Sequence, residues 1–240
     1  MRKNLLVAVV IIVGVIIYVV VTGISSSIRL EFDFSQGAQG WEAGFAEYDP
    51  QMQGMMLEGE IRPLPSELGI NGTGYYVQGM NHSDDLFMFL KRRLGTADGV
   101  VPGQEYRVMF SIVFASNAPS GAVGIGGPPG ESVYLRAGAS AVEPEVYLDS
   151  DTGYYLMNVD KGSGNSGSGT AASVAGNIAN SLSAEENPRY ITLEQQHEHE
   201  YTVNASPDGE LWLLVGTDSG FEGFTGIYYQ SIVVTLIPLK

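Results

Sequence analysis

Tyr106, Val108, Phe110, Ile112 and Phe114 take every second position in one stretch, with Arg107, Met109, Ser111 and Val113 between them. A period of two puts each set on its own face of a strand, so this stretch predicts a β-strand with one face buried. Leu30, Phe32 and Phe34 alternate in the same way with Glu31 and Asp33. Val133 and Leu135 resume the pattern after the Gly/Pro-rich turn 124–130. Tyr201 and Val203 lead into Ser206-Pro-Asp-Gly209, and Leu211 to Val215 follow, which predicts a hairpin closed by that turn. A last strand is expected from Ile227 to Leu236. Helical periodicity is almost absent. Asp85–Leu94 reads as a short helix or a strand, and Ala171–Leu182 as a helix of small residues. The run KGSGNSGSGT at 161–170 reads as a flexible loop. Strands separated by turn signals predict an all-β domain, an antiparallel β-sandwich of jelly-roll type.

The leading segment follows another pattern. Leu5 to Val21 is unbroken by charge and consists of Leu, Ile and Val apart from Ala8, Gly14 and Tyr18. About 20 residues of helix span a ~30 Å hydrocarbon core. Residues 1–24 are therefore expected to form a single N-terminal transmembrane helix, with 5–24 in the bilayer. A spacer at 25–28 and one domain at 29–240 follow. Arg2 and Lys3 precede the apolar run, so the positive-inside rule places the C-terminal domain outside the cytoplasm, at the cell membrane. A cleaved signal peptide is the rival, and its apolar core is usually shorter.

Composition sharpens this picture. The chain carries 27 acidic against 12 basic residues, a formal charge of −15. Such a surface repels nucleic acid, which is not expected as a partner. No cysteine is present, so disulfides, thiolate metal sites and cysteine nucleophiles are excluded.

Candidate chemistry is sparse. Asp149-Ser-Asp151-Thr-Gly153 with Asp160 resembles the opening of a calcium loop, since alternating hard oxygens and a glycine suit Ca²⁺. Its glycine falls one place early, and Asp160 stands where a bidentate Glu is usual. His197 and His199 lie two apart and would share a strand face, with His82 a conceivable third metal ligand. Asp84 with Asp85, Glu143 with Glu145, and Asp218 with Glu222 are carboxylate pairs of the kind glycoside hydrolysis needs. Trp212 lies between Leu211 and Leu213 and must point away from them. Trp212 and Tyr228, with Asp84 and Asp218 to hold hydroxyls, form the expected ligand-binding set. Three sequons begin at Asn71, Asn81 and Asn204.

The phrases NHSDDLFMFLKRRL (81–94), SNAPSGAVGIGGPPGESVYLRAGAS (116–140), NVDKGSGNSGSG (158–169) and DGELWLLVGTDSGFEGFTGIYY (208–229) resemble a family of exported bacterial proteins without assigned activity. The resemblance implies an extracytoplasmic β-sandwich, similar in outline to galactose-binding-like and carbohydrate-binding jelly rolls. It supplies no catalytic residue. The expectation is a membrane-anchored binding module for a glycan or another envelope component, with a tethered polysaccharide hydrolase or lyase and a structural envelope subunit as rivals.

Overall fold

A computed structural model describes residues 27–82 and 85–240. The segment expected to cross the membrane, 5–24, and the candidate ligand residue Asp84 lie outside the described residues. Among the described residues, no helix is long and apolar enough to cross a membrane.

The described residues form sixteen strands: β1 (Ile28–Asp33), β2 (Glu42–Ala46), β3 (Glu58–Pro63), β4 (Thr73–Met80), β5 (Phe87–Leu94), β6 (Glu105–Ser116), β7 (Pro119–Ser120), β8 (Val133–Ser140), β9 (Val146–Leu148), β10 (Tyr155–Met157), β11 (Ser173–Asn177), β12 (Asn180–Ser183), β13 (Ile191–Glu198), β14 (Val203–Asn204), β15 (Leu211–Ser219) and β16 (Phe224–Pro238). One sheet runs β13-β6-β16-β4-β3, with β1 also on β16 and β14 also on β6. The other runs β11-β8-β15-β5-β2. The chain crosses between the sheets from β4 to β5, from β5 to β6 and from β6 to β8, then again from β13 to β15 and β15 to β16. The result is an antiparallel sandwich.

The alternating residues explain the core. Tyr106, Val108, Phe110, Ile112 and Phe114 of β6 are all buried and face Leu211, Leu213 and Val215 of β15, in one cluster with Leu135 and Ala137 of β8. Edge-on aromatic contacts close one side, with Phe32–Trp41 at 5.5 Å and Phe34–Tyr75 at 5.6 Å between ring centroids. In β16 the register against β6 shifts between Tyr229 and Ser231. That bulge lets Tyr229 and Ile232, three apart, both enter the core.

A second, smaller core lies on the outer side of the five-stranded sheet. Phe87, Phe89, Leu214, Ala46 and Ala172 pack there under Val146, Met157 and Val159. The segment 141–172, with the β9–β10 hairpin, covers this face.

Three sequence expectations change and one open alternative is resolved. Within Asp85–Leu94, read as helix or strand, Phe87–Leu94 form β5, whose odd and even positions feed two different cores. Ala171–Leu182 holds β11 and β12, not a helix; its small residues let it lie close against β8, where a Cβ on Gly138 would fall 2.3 Å from the Ala171 carbonyl oxygen. The turn at Ser206–Gly209 does not close a hairpin: β14 pairs with β6 while β15 joins the other sheet, so the turn passes between layers. Residues 161–170 are wrapped tightly round a buried arginine, as described below.

Candidate functional site

Among the described residues, the outer face of the seven-stranded sheet has no covering layer comparable to 141–172, and an aromatic group stands on it. Tyr228 of β16 pairs in register with Tyr76 of β4. Their rings lie 4.4 Å apart at 38°. Tyr190, just before β13, meets Tyr228 edge-on at 5.2 Å and 87°. The Arg62 guanidinium lies 4.7 Å from the Tyr76 ring centre, on its other flank, a cation–π distance. Tyr76 is buried, while Tyr228 and Tyr190 are half-buried.

Each member is held in place. The Tyr76 hydroxyl donates to Gln78 Oε1 at 2.9 Å, and Gln78 Nε2 donates to the Met56 carbonyl at 2.9 Å. The Tyr190 hydroxyl donates to the Gly226 carbonyl at 3.2 Å, and its backbone N–H donates to Glu67 Oε1 at 2.5 Å. Arg62 is bound by Glu58 and Glu60. Gly226 is required here: a Cβ would come 2.5 Å from the Tyr76 hydroxyl. Burial raises the pKa of Tyr76, Tyr190 and Tyr228, so all three remain neutral phenols at physiological pH. The surrounding strands add amides and hydroxyls. Gln230 Nε2 donates to Thr192 Oγ1 at 2.9 Å, and Gln196 Nε2 to Ser111 Oγ at 2.8 Å. The site therefore offers one partly open aromatic face flanked by amides and hydroxyls and by the charged groups of Arg62, Glu58, Glu60 and Glu67.

The described members of the expected ligand set, Trp212, Tyr228 and Asp218, do not meet there. Trp212 points away from the core, as its flanking leucines require, but on the outer face of the opposite sheet. The Lys91 ammonium lies 5.3 Å from its ring centre, and Lys91 pairs with Glu143 at 2.5 Å. Asp218 is fully buried on that same side. Its Oδ2 accepts from Arg136 Nε at 2.8 Å and from Lys161 Nζ at 2.7 Å. Lys161 also pairs with Glu47 at 2.5 Å. Asp85 brings a third carboxyl, and single oxygens of Glu47, Asp85 and Asp218 lie within 4.8 Å of one another. Two carboxylates assigned by sequence to separate pairs are thus brought together, with Glu47, which sequence reasoning missed.

Arg136 organises the loop above it. Nη1 donates to the carbonyls of Lys161 and Gly167, each at 2.6 Å. Nη2 donates to those of Gly164 at 3.0 Å and Asn165 at 2.8 Å. With Nε on Asp218, all five guanidinium donors are used. The glycines permit the wrap: Gly162 has φ +108°, and a Cβ there would lie 1.9 Å from the Gly167 carbonyl oxygen.

The residues read as a calcium loop serve local turns. Asp149 Oδ2 accepts from the Thr152 N–H at 2.9 Å and its hydroxyl at 2.6 Å. Asp160 accepts from Gly162 N–H at 3.0 Å and Thr170 N–H at 2.8 Å. These bonds hold both below the ordinary carboxylate pKa. Asp149, Asp151 and Asp160 do not gather into one cluster as Glu47, Asp85 and Asp218 do. His197 and His199 do share a face, and what joins them is Ser173: its Oγ lies 2.8 Å from His197 Nε2 and 2.7 Å from His199 Nδ1. His82 instead lies near the Gly54 carbonyl, at 3.4 Å. The Asn81 amide is buried and donates to the Ser219 and Phe221 carbonyls, so that sequon is closed in the fold.

No protein-family model matches the chain, and no curated protein matches its sequence. The solved structures it matches include carbohydrate-binding modules. One comes from a study of carbohydrate-binding modules of the β-sandwich superfamily, at 14% identity and TM-score 0.39, over 87% of this chain and 61% of that one. This chain thus spans less than two thirds of that structure's length. A second is the K3 cleaved adhesin domain of Lys-gingipain from Porphyromonas gingivalis, at 13% identity and TM-score 0.39, over 88% of this chain and 99% of that one. A third is the C-terminal family 22 carbohydrate-binding module of Clostridium thermocellum Xyn10B, at 15% identity and TM-score 0.35, over 85% and 91%.

Proposed function

We propose that this chain is a membrane-anchored, extracytoplasmic binding module that takes a glycan on the outer face of its seven-stranded sheet, with the domain a jelly roll in connectivity. The observation that carries the reading is Tyr228. Its half-exposed ring is fixed between Tyr76 and Tyr190, on a sheet face that also carries side-chain amides and hydroxyls. An aromatic face covers the C–H face of a sugar ring, and amides and hydroxyls exchange their bonds to water for bonds to sugar hydroxyls. Preorganisation lowers the entropic cost of binding.

Anchoring through residues 5–24 fits this geometry. Ile28 pairs with Leu236 near the end of β16, and Tyr228 lies near its start. About eight residues of strand separate the two, roughly 27 Å at ~3.4 Å per residue. An anchor entering at Ile28 would hold the tyrosine group away from the bilayer.

The test is binding of the full chain, in detergent micelles, to a panel of soluble polysaccharides by affinity electrophoresis. Wild-type protein is expected to be retarded by at least one neutral polysaccharide, and Y228A to lose that retardation about tenfold or more while keeping its β-sheet circular dichroism. Equal retardation of Y228A, or none of wild type across the panel, would remove this reading.

A further inference from the structure

The buried cluster on the outer side of the five-stranded sheet has an uneven charge count. Arg136 and Lys161 bring two positive charges. Glu47 and Asp218 balance them, and each carboxylate touches a cation directly. Asp85 is the surplus acid. Among the described residues it pairs with no cation, and its carboxyl oxygen lies within 4.8 Å of those of Glu47 and Asp218. A hydrogen bond between two carboxyl groups needs a proton. The Oδ1 atoms of Asp85 and Asp218 are buried without a hydrogen-bond partner among the described residues, so none of these residues supplies a donor to compensate a third negative charge.

We propose that Asp85 sits in this cluster as a carboxylic acid donating to Glu47, and that on ionising its side chain leaves for solvent, a proton-operated plug beside a self-balanced ion quartet. The groups facing it are Glu47 after β2, Asp218 on β15, Lys161 in the arginine-bound loop and, behind Asp218, Arg136 on β8. Burial, the bond to Glu47, and the charges of Glu47 and Asp218 push the Asp85 pKa up to about 8, against an opposing pull from Lys161. Burial raises the Asp218 pKa, against the pull of Lys161 and Arg136. The Lys161 pKa is raised: burial lowers it, and the attraction of Asp218 and Glu47 outweighs burial.

The direction of the pH effect follows. An unfolded Asp titrates near ~3.9. Between there and about 8 the folded chain keeps a proton that the unfolded chain has released. The stability tied to Asp85 is therefore complete at low pH, falls as pH rises toward 8, and levels above it. Outward movement of the ionised side chain limits the loss.

The experiment compares wild type with D85N, full chain in micelles, by urea unfolding from pH 5 to 9.5. The ratio of the D85N to the wild-type folding constant is expected to rise with pH, by up to tenfold per unit, and to level near 8. Exchange protection of the Ser219 amide, which donates to the Leu86 carbonyl at 3.1 Å, should fall over the same range in wild type and stay flat in D85N. Parallel unfolding curves would overturn the proposal. So would a stabilisation by added Ca²⁺ that D85N abolishes, because the cluster would then be a metal site. If D85N does not fold, the ¹³C carboxyl titration of Asp85 in wild type decides: a midpoint near 8 supports the plug and one near 4 refutes it.

Discussion

At the residue scale, Arg136 shows how one side chain orders a segment whose composition promises disorder. Four backbone carbonyls and one carboxylate receive its five donors in a fully buried position. A buried ion pair adds little net stability, yet removing one partner leaves the rest uncompensated. R136A is expected to destabilise the chain by ~3–5 kcal/mol in urea unfolding, against the cost of orphaning Asp218 and four carbonyls. R136K keeps the charge but cannot reach five partners, so it should restore only part of that loss. Its position was not legible: Leu135 and Ala137 announce a strand with Arg136 pointing away from the core, which reads as exposed. Only the layer from 141 to 172 reverses that. Tyr228 was named as a candidate ligand residue, without a local signal for which of Tyr228 and Tyr229 faces outward, whereas Tyr190 was missed. Its one local signal is its place immediately before the alternating strand that starts at Ile191.

At the scale of elements, the two long strands were readable because water lies on one side of each and the core on the other. β6 alternates cleanly for that reason. β5 does not alternate, because both its faces are covered, and Phe87 and Phe89 stack at 5.3 Å beneath the covering layer. A strand buried on both sides carries no period of two, so a short helix reads equally well there. The covering layer's contact can be probed at Gly138, where an added Cβ would meet Ala171 and Ala172 backbone atoms at 2.3 and 2.7 Å. G138A is expected to cost about 1–3 kcal/mol by overpacking. In hydrogen exchange, the loss of protection should concentrate in 169–174 and spare β6. The turn at Ser206–Gly209 is the converse case. Its chemistry is that of a tight turn, but the sheets claimed by its two flanking strands are set by partners far away in sequence.

At the scale of the whole molecule, the sandwich separates two surfaces with different fates. One sheet presents the tyrosine group to solvent, and the other is roofed and holds the ion cluster. With residues 5–24 in a bilayer, the tyrosine group would lie at the far end of β16. The full chain is then expected to stay with membranes through an alkaline carbonate wash, and protease added to intact cells should remove the domain from 29 onward. Release by carbonate would argue against the anchor. The amino-acid sequence by itself determined the all-β class, the inward residues of the core strands and the side on which Trp212 points. Those follow from local stereochemistry and from the need of apolar side chains to avoid water. Tertiary structure alone decided which outward residues meet. Tyr76, Tyr190 and Tyr228 converge because β4, β13 and β16 share a sheet, and Asp85 meets Glu47 and Asp218 because three separate strands end together. The pairing of strands distant in sequence is fixed by the packing of the whole core, and no short stretch of sequence carries it.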